Sequence, residues 1–308
     1  MDRKEIILEA LETLRKKEIA EHEPFKARAY KQAIQELSTL SSIRSMEDVR
    51  GLKGIGTKIH AKLEEIFATG ELKAAERAKE VVTKSDSLLH CYGIGPAKLK
   101  ELQSHGITTI AQLREAVKKD PTLLSPVQQI GLTYYEPLLE RIPRAEMEDH
   151  STLLHSVTSS LHIGMDIVGS YRRGAPTSGD IDCLLKGTDS SILDTVVEQL
   201  DKKKYLVEVL AHGKKKVMAI IKLKHHPERR LDLLLTPPEE YPFALTYFTG
   251  SDRFNIAMRK QAQSLGFTLN EHALTTTKGT RVEGIHSEKD LFKVLKIEWK
   301  NPEDRHDI

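Results

Sequence analysis

Apolar positions in the first part of the chain recur at helical spacing. Ile6, Ile7, Ala10, Leu11 and Leu14 predict a helix over 2–20. Ala27, Tyr30, Ala33, Ile34 and Leu37 line one face of a second helix over 24–38, which opens on Pro24, a favoured first helical residue. Two more helices are expected over 57–68 and 71–82, and residues 107–142 stay helical through Leu113, Val117 and Leu138-Leu139. Near Ile142-Pro143-Arg144 the pattern changes. After a helix at 145–162, short apolar runs predict strands over 166–169, 180–185, 207–210, 217–223 and 231–235, with a helix at 190–202 crossing between the second and third. A helix over 253–265 follows. The C-terminal remainder mixes short strands with a helix near 287–294.

A repeat is embedded in the helical half. Gly54-Ile55-Gly56 and Gly93-Ile94-Gly95 each precede a helix, and each follows a short helical segment, at 46–51 and 85–91. Glycines permit the tight turn, and the next helix begins with free amides pointing outward. Those amides suit a backbone phosphate and read no bases. A single Gly-x-Gly is most simply a helix cap; two copies in one context point to DNA-backbone contact.

Composition narrows the setting. No apolar run in the 308 residues approaches the ~20 of a membrane span. The charged start Met1-Asp2-Arg3-Lys4-Glu5 leads directly into a helix, so no secretory signal is expected. Cys91 and Cys183, the only two cysteines, sit in apolar surroundings, which favours buried reduced thiols and leaves a cysteine metal site unsupported. The net charge of +2 says little about nucleic acid, so any basic footprint must come from local clustering.

The densest chemistry lies in Gly169-Ser170-Tyr171-Arg172-Arg173-Gly174-Ala175-Pro176-Thr177-Ser178-Gly179-Asp180-Ile181-Asp182. Asp180 and Asp182 stand two apart at the head of an apolar strand, a spacing that puts both on one face. Adjacent carboxylates repel and favour a cation between them. Ahead of them, glycines with Ser170, Arg172, Arg173 and Ser178 supply donors suited to phosphate oxygens. Downstream, Asp232 interrupts the apolar run 231–235. Read alone it fits a structural salt bridge with the preceding Arg229-Arg230 as well as a metal ligand. Beside the other two it completes a two-metal nucleotidyl-transfer site in which Arg230 orients Asp232. Tyr247-Phe248, then Gly250 and a helix, suggest a sugar-and-base platform.

These motifs, GSYRRGAPTSGDID, RRLD, YFTGSDRFN and the two GIG hairpins in order, resemble the family X DNA polymerases, those built on the plan of DNA polymerase beta, over nearly the whole chain. The resemblance implies an α+β, multidomain fold. Residues 1–82 would be a helical 5′-deoxyribose-phosphate lyase domain with the first hairpin, 83–142 a helical DNA-binding subdomain with the second, 143–248 a catalytic palm with a nucleotidyltransferase-type sheet, and 249–308 a subdomain that binds the nascent base pair. It implies template-directed filling of short gaps in base excision repair. The metals would be two Mg²⁺ ions on Asp180, Asp182 and Asp232, with Mn²⁺ able to substitute, and Na⁺ or K⁺ at the hairpins.

Other residues take roles by the same resemblance. Arg144, Ser170, Arg173 and Gly179 would contact the triphosphate, Tyr247 and Phe248 the sugar, and Asp252 and Asn255 the incoming base. Gly250-Ser251 matches a position where the family has a cis peptide. Arg259 and Glu271 match a pair exchanged on closure. Lys62 matches the Schiff-base lysine, with Lys58 on the same helical face and Lys26 and Tyr30 as sugar-phosphate contacts. Gly54, Gly56, Gly93, Gly95, Arg230 and Arg259 join the DNA-contacting set. Implied partners are gapped or nicked DNA with a 5′-phosphate, deoxynucleoside triphosphates, and repair proteins such as a ligase; no membrane is implied, and the chain is expected to be monomeric. It is expected in the nucleus of a eukaryote, or otherwise in the cytoplasm.

Where the family plan departs, Ala74 replaces a phosphate-binding lysine, Ile256 a lysine that stacks on the template, and His272 a tyrosine. The connection 224–230 is a short basic hairpin stiffened by Pro227. Relatives that add nucleotides without a template carry a long loop there. A template-independent nucleotidyltransferase and a catalytically silent DNA-binding repair scaffold are the competing readings.

Overall fold

The computed structural model describes residues 2–21 and 23–305, and the chain divides into two units, Met1–Tyr135 and Glu136–Ile308. The first is helical: α1 Lys4–Ala20, α2 Pro24–Ser38, a 3-10 turn Met46–Val49, α3 Thr57–Thr69, α4 Lys73–Leu89, α5 Pro96–Ser104, α6 Ile110–Lys119 and α7 Pro126–Thr133. It contains two apolar cores. Ile7, Leu11, Leu14, Leu37, Leu63 and Ile66 centre one; Leu88, Leu99, Leu102 and Leu113 centre the other. Helix α4 serves both, giving Leu72-flanked Ala75 and Ala78 to the first and Leu88 to the second. The helices expected at 71–82 and 85–91 are thus one continuous helix, which runs through the anticipated junction at 82/83.

In the second unit the chain runs through α8 Tyr135–Leu139, which begins at the last residue of the first, β1 Ile142–Pro143, α9 Arg144–Ser160, β2 Met165–Ile167, α10 Gly169–Arg172, β3 Thr177–Ser178, β4 Ile181–Lys186, α11 Ser191–Lys202, β5 Leu206–His212, β6 Lys216–Lys222 and β7 Glu228–Thr236. Five strands make one sheet in the order β2-β4-β7-β6-β5, in which only β4 and β7 are parallel. Period-2 alternation explains the layers. Ile181, Cys183, Leu185, Leu231, Leu233 and Leu235 face a core closed by α9 and α11, so Asp182, Leu184, Asp232 and Leu234 face the other side. There α12 Tyr241–Thr249 covers Leu184 and Leu234 but leaves the aspartate end of the strands open. α13 Asp252–Ser264, the hairpin β8 Phe267–Leu269 with β9 Leu274–Thr276, and α14 Glu288–Val294 enclose a last core around Phe254, Met258 and Phe292.

Two expectations need correcting. The segment after Val168, read as a turn-rich loop, contains the helical turn α10. The connection between β6 and β7, read as 224–230, is shorter, because β7 already begins at Glu228.

Candidate active site

The parallel pairing of β4 with β7 sets Asp182 directly opposite Asp232. Asp232 is 4% exposed, and its Oδ1 is buried without a hydrogen-bond partner. Burial first, then the charge of Asp232, pushes the Asp182 carboxyl up to about 6, against the pull of Lys216. Lys216 Nζ lies 2.7 Å from Asp232 Oδ2, and Arg230 Nε lies 3.4 Å from Asp232 Oδ1. Asp180 precedes the strand and is gripped by Arg230. The sequence placed Asp180 beside Asp182; the pair that the sheet register fixes is Asp182 with Asp232, and Arg230 bridges from Asp232 to Asp180. Among the described residues no three His, Cys, Asp or Glu side chains converge closely enough to hold a metal ion as they stand. Two features still fit divalent cations. Asp232 presents an orphaned buried oxygen, and Gly169 approaches so closely that an added Cβ would lie 3.0 Å from Asp182 Oδ2. Lys216 and Arg230 offset part of the charge of the three carboxylates.

The loop next to this pair is tied down by its own backbone. Val168 donates to the Asp182 carbonyl at 2.9 Å, β1 pairs with β3, and the Arg144 amide donates to the Pro176 carbonyl at 3.0 Å. Gly169, with φ of 62°, takes the left-handed turn into α10. Ser170 Oγ donates to Ser178 Oγ at 3.0 Å. Arg144 lies over the Tyr171 ring at 4.7 Å and donates to the Tyr171 carbonyl at 3.0 Å, so it braces the loop from behind. Gly179 is flanked by Arg141, which donates to Thr177. Arg173 Nη1 donates to the Thr249 carbonyl at 2.6 Å. That contact brings the loop to the end of α12, where Arg173, Tyr247, Phe248, Gly250, Asp252 and Asn255 line an open cavity of about 680 Å³.

Within the cavity wall, Tyr247 and Phe248 meet edge to face at 5.1 Å. The Gly250–Ser251 peptide is cis, and Ser251 caps α13 through its side chain. Asn255 donates to the Tyr247 carbonyl at 2.8 Å, and Arg259 lies over the Tyr247 ring at 5.2 Å and 3.8 Å from Glu271. His272 takes Glu240 at 2.7 Å and sits 3.9 Å from Glu271. Ile256 is half-buried on the same helix.

Behind the cavity lies a buried ionic cluster that no sequence pattern signalled. Glu288 is 6% exposed and accepts from Arg172 at 2.7 Å and from Arg305 at 2.6 Å. Burial pushes its carboxyl up, but the two arginines outweigh it and hold it below the usual range. Arg305, fully buried, has its guanidinium 5.8, 5.2 and 5.1 Å from the rings of Phe254, Phe292 and Trp299. Lys216 was missed too. Strand alternation could have found it, since Val217, Ala219 and Ile221 point into the core and Lys216 therefore points with Asp232.

In the helical unit Lys62 is half-buried on α3, and its ammonium donates to the Lys58 carbonyl at 3.3 Å. Lys58 is exposed on the preceding turn. Lys26 lies 3.3 Å from Glu23 and 3.8 Å from Glu18, and burial followed by the Glu18 charge raises the Tyr30 hydroxyl above its ordinary value. Ala74 is exposed near the start of α4. The two hairpins are built alike. Gly54 and Gly93 have φ of 88° and 83°, while Gly56 and Gly95 are the extended caps of α3 and α5. Each cap's carbonyl accepts from the helix three or four residues on, so the first amides of both helices remain outward.

Opposed carboxylates on two parallel inner strands, a serine- and arginine-bearing loop and an aromatic-walled cavity define the architecture of a nucleotidyltransferase palm. Comparison with known proteins agrees. Residues 141–238 match the DNA polymerase beta palm, 244–306 the DNA polymerase beta thumb, 2–72 a helix-hairpin-helix domain and 86–139 the fingers domain of DNA polymerase lambda. With these matches in order along almost its full length, the chain belongs to the family X DNA polymerases. Among its relatives are DNA polymerase lambda of Rattus norvegicus, 28% identical over 97% of this chain and 56% of the relative, and that of Arabidopsis thaliana, 29% identical over 86% and 54%. DNA nucleotidylexotransferase of Xenopus laevis is 27% identical over 86% of this chain and 60% of its own. The chain thus spans little more than half the length of these relatives.

Proposed function

We propose that this protein is a template-directed DNA polymerase that fills short gaps in base excision repair, with an associated 5′-deoxyribose-phosphate lyase. The single observation that carries the polymerase half is the burial of Asp232 opposite Asp182 on the two parallel inner strands of the sheet. Two such carboxylates cost stability unless cations are to be held there, and a scaffold without catalysis would gain nothing from them. Asp180, Asp182 and Asp232 would hold two divalent cations, Mg²⁺ or Mn²⁺, whose chemistry is to lower the pKa of the primer 3′-hydroxyl and neutralise the triphosphate. Ser170, Arg173 and the Gly179 backbone donate to the phosphates, and Arg144 keeps their loop rigid. Tyr247 and Phe248 flank the sugar, while Asp252 and Asn255 face the base. Arg259 leaves Glu271 for the DNA on closure.

In the helical unit Lys62 supplies the amine for the Schiff base, with Lys58 one turn before it on α3 and Lys26 and Tyr30 of α2 as sugar-phosphate contacts. Gly54, Gly56, Gly93 and Gly95 present helix amides to backbone phosphates, and the hairpin carbonyls could hold a Na⁺ or K⁺ ion that would neutralise phosphate charge. The substrates are gapped or nicked DNA bearing a 5′-phosphate and deoxynucleoside triphosphates. A repair ligase is a fitting partner for the product, and a monomer acting in the nucleus, or in the cytoplasm of a cell without one, suffices. No helix among the described residues is long and apolar enough to cross a membrane.

A transferase that needs no template is the second reading, motivated by the Xenopus relative. The turn from Lys222 to Glu228 argues against it, because β6 and β7 pair through these residues and leave too little chain to reach a primer terminus and return. The deciding experiment is primer extension on a one-nucleotide gap with and without Mg²⁺. Wild type should insert one templated nucleotide only with metal, and Asp232→Asn should insert none while still binding the gap. Extension by that variant at the wild-type rate would remove the aspartates from the chemistry.

A further inference from the structure

We propose that Lys216 is a resident counter-cation of the carboxylate site: it sits on Asp232 in the metal-free protein, is displaced when a divalent cation binds, and so sets how tightly the site loads. The inference rests on the polymerase reading above. Lys216 is the first residue of β6, two before Met218, which is the register partner of Asp232. Its backbone is fixed by the pairing of β6 with β7, and its side chain falls on the aspartate face. Its Nζ is 2.7 Å from Asp232 Oδ2, so one oxygen that a cation would need is already taken.

The two partners differ in their freedom to leave. The Lys216 side chain is 43% exposed and that of Asp232 only 6%. The ammonium therefore has a way out to solvent, while the carboxylate is committed to the site. A lysine suits this role, being a strongly hydrated point charge on a flexible stem. Arg230 holds Asp180 in the same manner from β7. Two basic side chains thus balance, in the metal-free protein, much of the charge of three carboxylates. A divalent ion arriving beside Asp232 meets both a blocked oxygen and a like charge, and binding must bear the cost of moving the lysine away.

The test is Mn²⁺ binding to the full chain without DNA, with the free ion counted by electron paramagnetic resonance, for wild type, Lys216→Met, Lys216→Arg and Asp232→Asn. Trp299 emission verifies that each variant is folded. Lys216→Met should bind Mn²⁺ about three- to fivefold more tightly, the size expected of a half-exposed ion pair. Lys216→Arg, which keeps the charge, should bind no more tightly than wild type. Asp232→Asn should lose the ion. If Lys216→Met gains nothing while Asp232→Asn loses binding, the counter-cation role is wrong and the metal site stands. If Asp232→Asn binds Mn²⁺ as wild type does, the site reading fails and this inference with it.

Discussion

Replacing Asp182 by Asn should stabilise the second unit while abolishing its chemistry. The carboxyl is displaced from an ordinary 3.8 to about 6 in the folded protein. Each unit of pKa is worth ~1.36 kcal/mol, so the ionised side chain costs the metal-free fold about 3 kcal/mol near pH 8. The sign follows from linkage. A folded value raised above the unfolded one gives a contribution that is fully present below 3.8 and is lost as pH rises through about 6. The wild type therefore falls behind the variant as pH rises, and the gap should shrink to about 1 kcal/mol near pH 4.5. Trp299, the only tryptophan, lies in the second unit, so its fluorescence follows that unit alone through urea unfolding. The measurement is made in chelator at several pH values. Adding Mg²⁺ should then stabilise wild type and leave Asp182→Asn unchanged. A variant less stable than wild type at pH 8, or a gain independent of pH, would show that the buried charge is already compensated and would refute the reasoning.

Three further outcomes follow from the same description. Lys62→Ala should lose most borohydride trapping on an incised abasic substrate and keep polymerisation; undiminished trapping would assign the amine to Lys58 or Lys26. Glu288→Gln leaves the fully buried Arg305 without its carboxylate and removes the charged partner of the half-buried Arg172, and should lower the stability followed by Trp299 by about 3–5 kcal/mol; a loss under about 1 kcal/mol would mean the cluster is spare. Single-stranded primer under Mg²⁺ should receive almost no untemplated nucleotides, which gel analysis of the tailing products checks; efficient tailing would bring the transferase reading forward.

Much of the fold was legible because period and burial coincide. Leu231–Leu235 and Ile181–Leu185 read as strands since one face of each is wholly core, and the glycine hairpins read as turns since nothing else takes φ near 85° so readily. What was not legible depended on partners distant in sequence. Helix α12 carries apolar residues nearly all round, with Pro242 in its first turn, because the sheet and the C-terminal core bury opposite sides of it. It therefore has no polar stripe to give a helical period. β1 and β3, two residues each, exist only through each other. At the site, Asp180-x-Asp182 suggested a local pair, but cross-strand register matched Asp182 to Asp232, and Arg230 took Asp180. Local spacing cannot encode register.

Helix α4 has a consequence for dissecting the chain. Its first half closes one apolar core and its last turn closes the other. A fragment cut at 82/83 would sever this helix partway along, leaving each piece a ragged, half-length segment in place of a lid. An isolated N-terminal fragment intended for sugar-phosphate excision should instead carry Lys73–Leu89 whole. The same continuity means that the two helical cores should melt together, so damage to either hairpin will register in the other as lost protection of its amides.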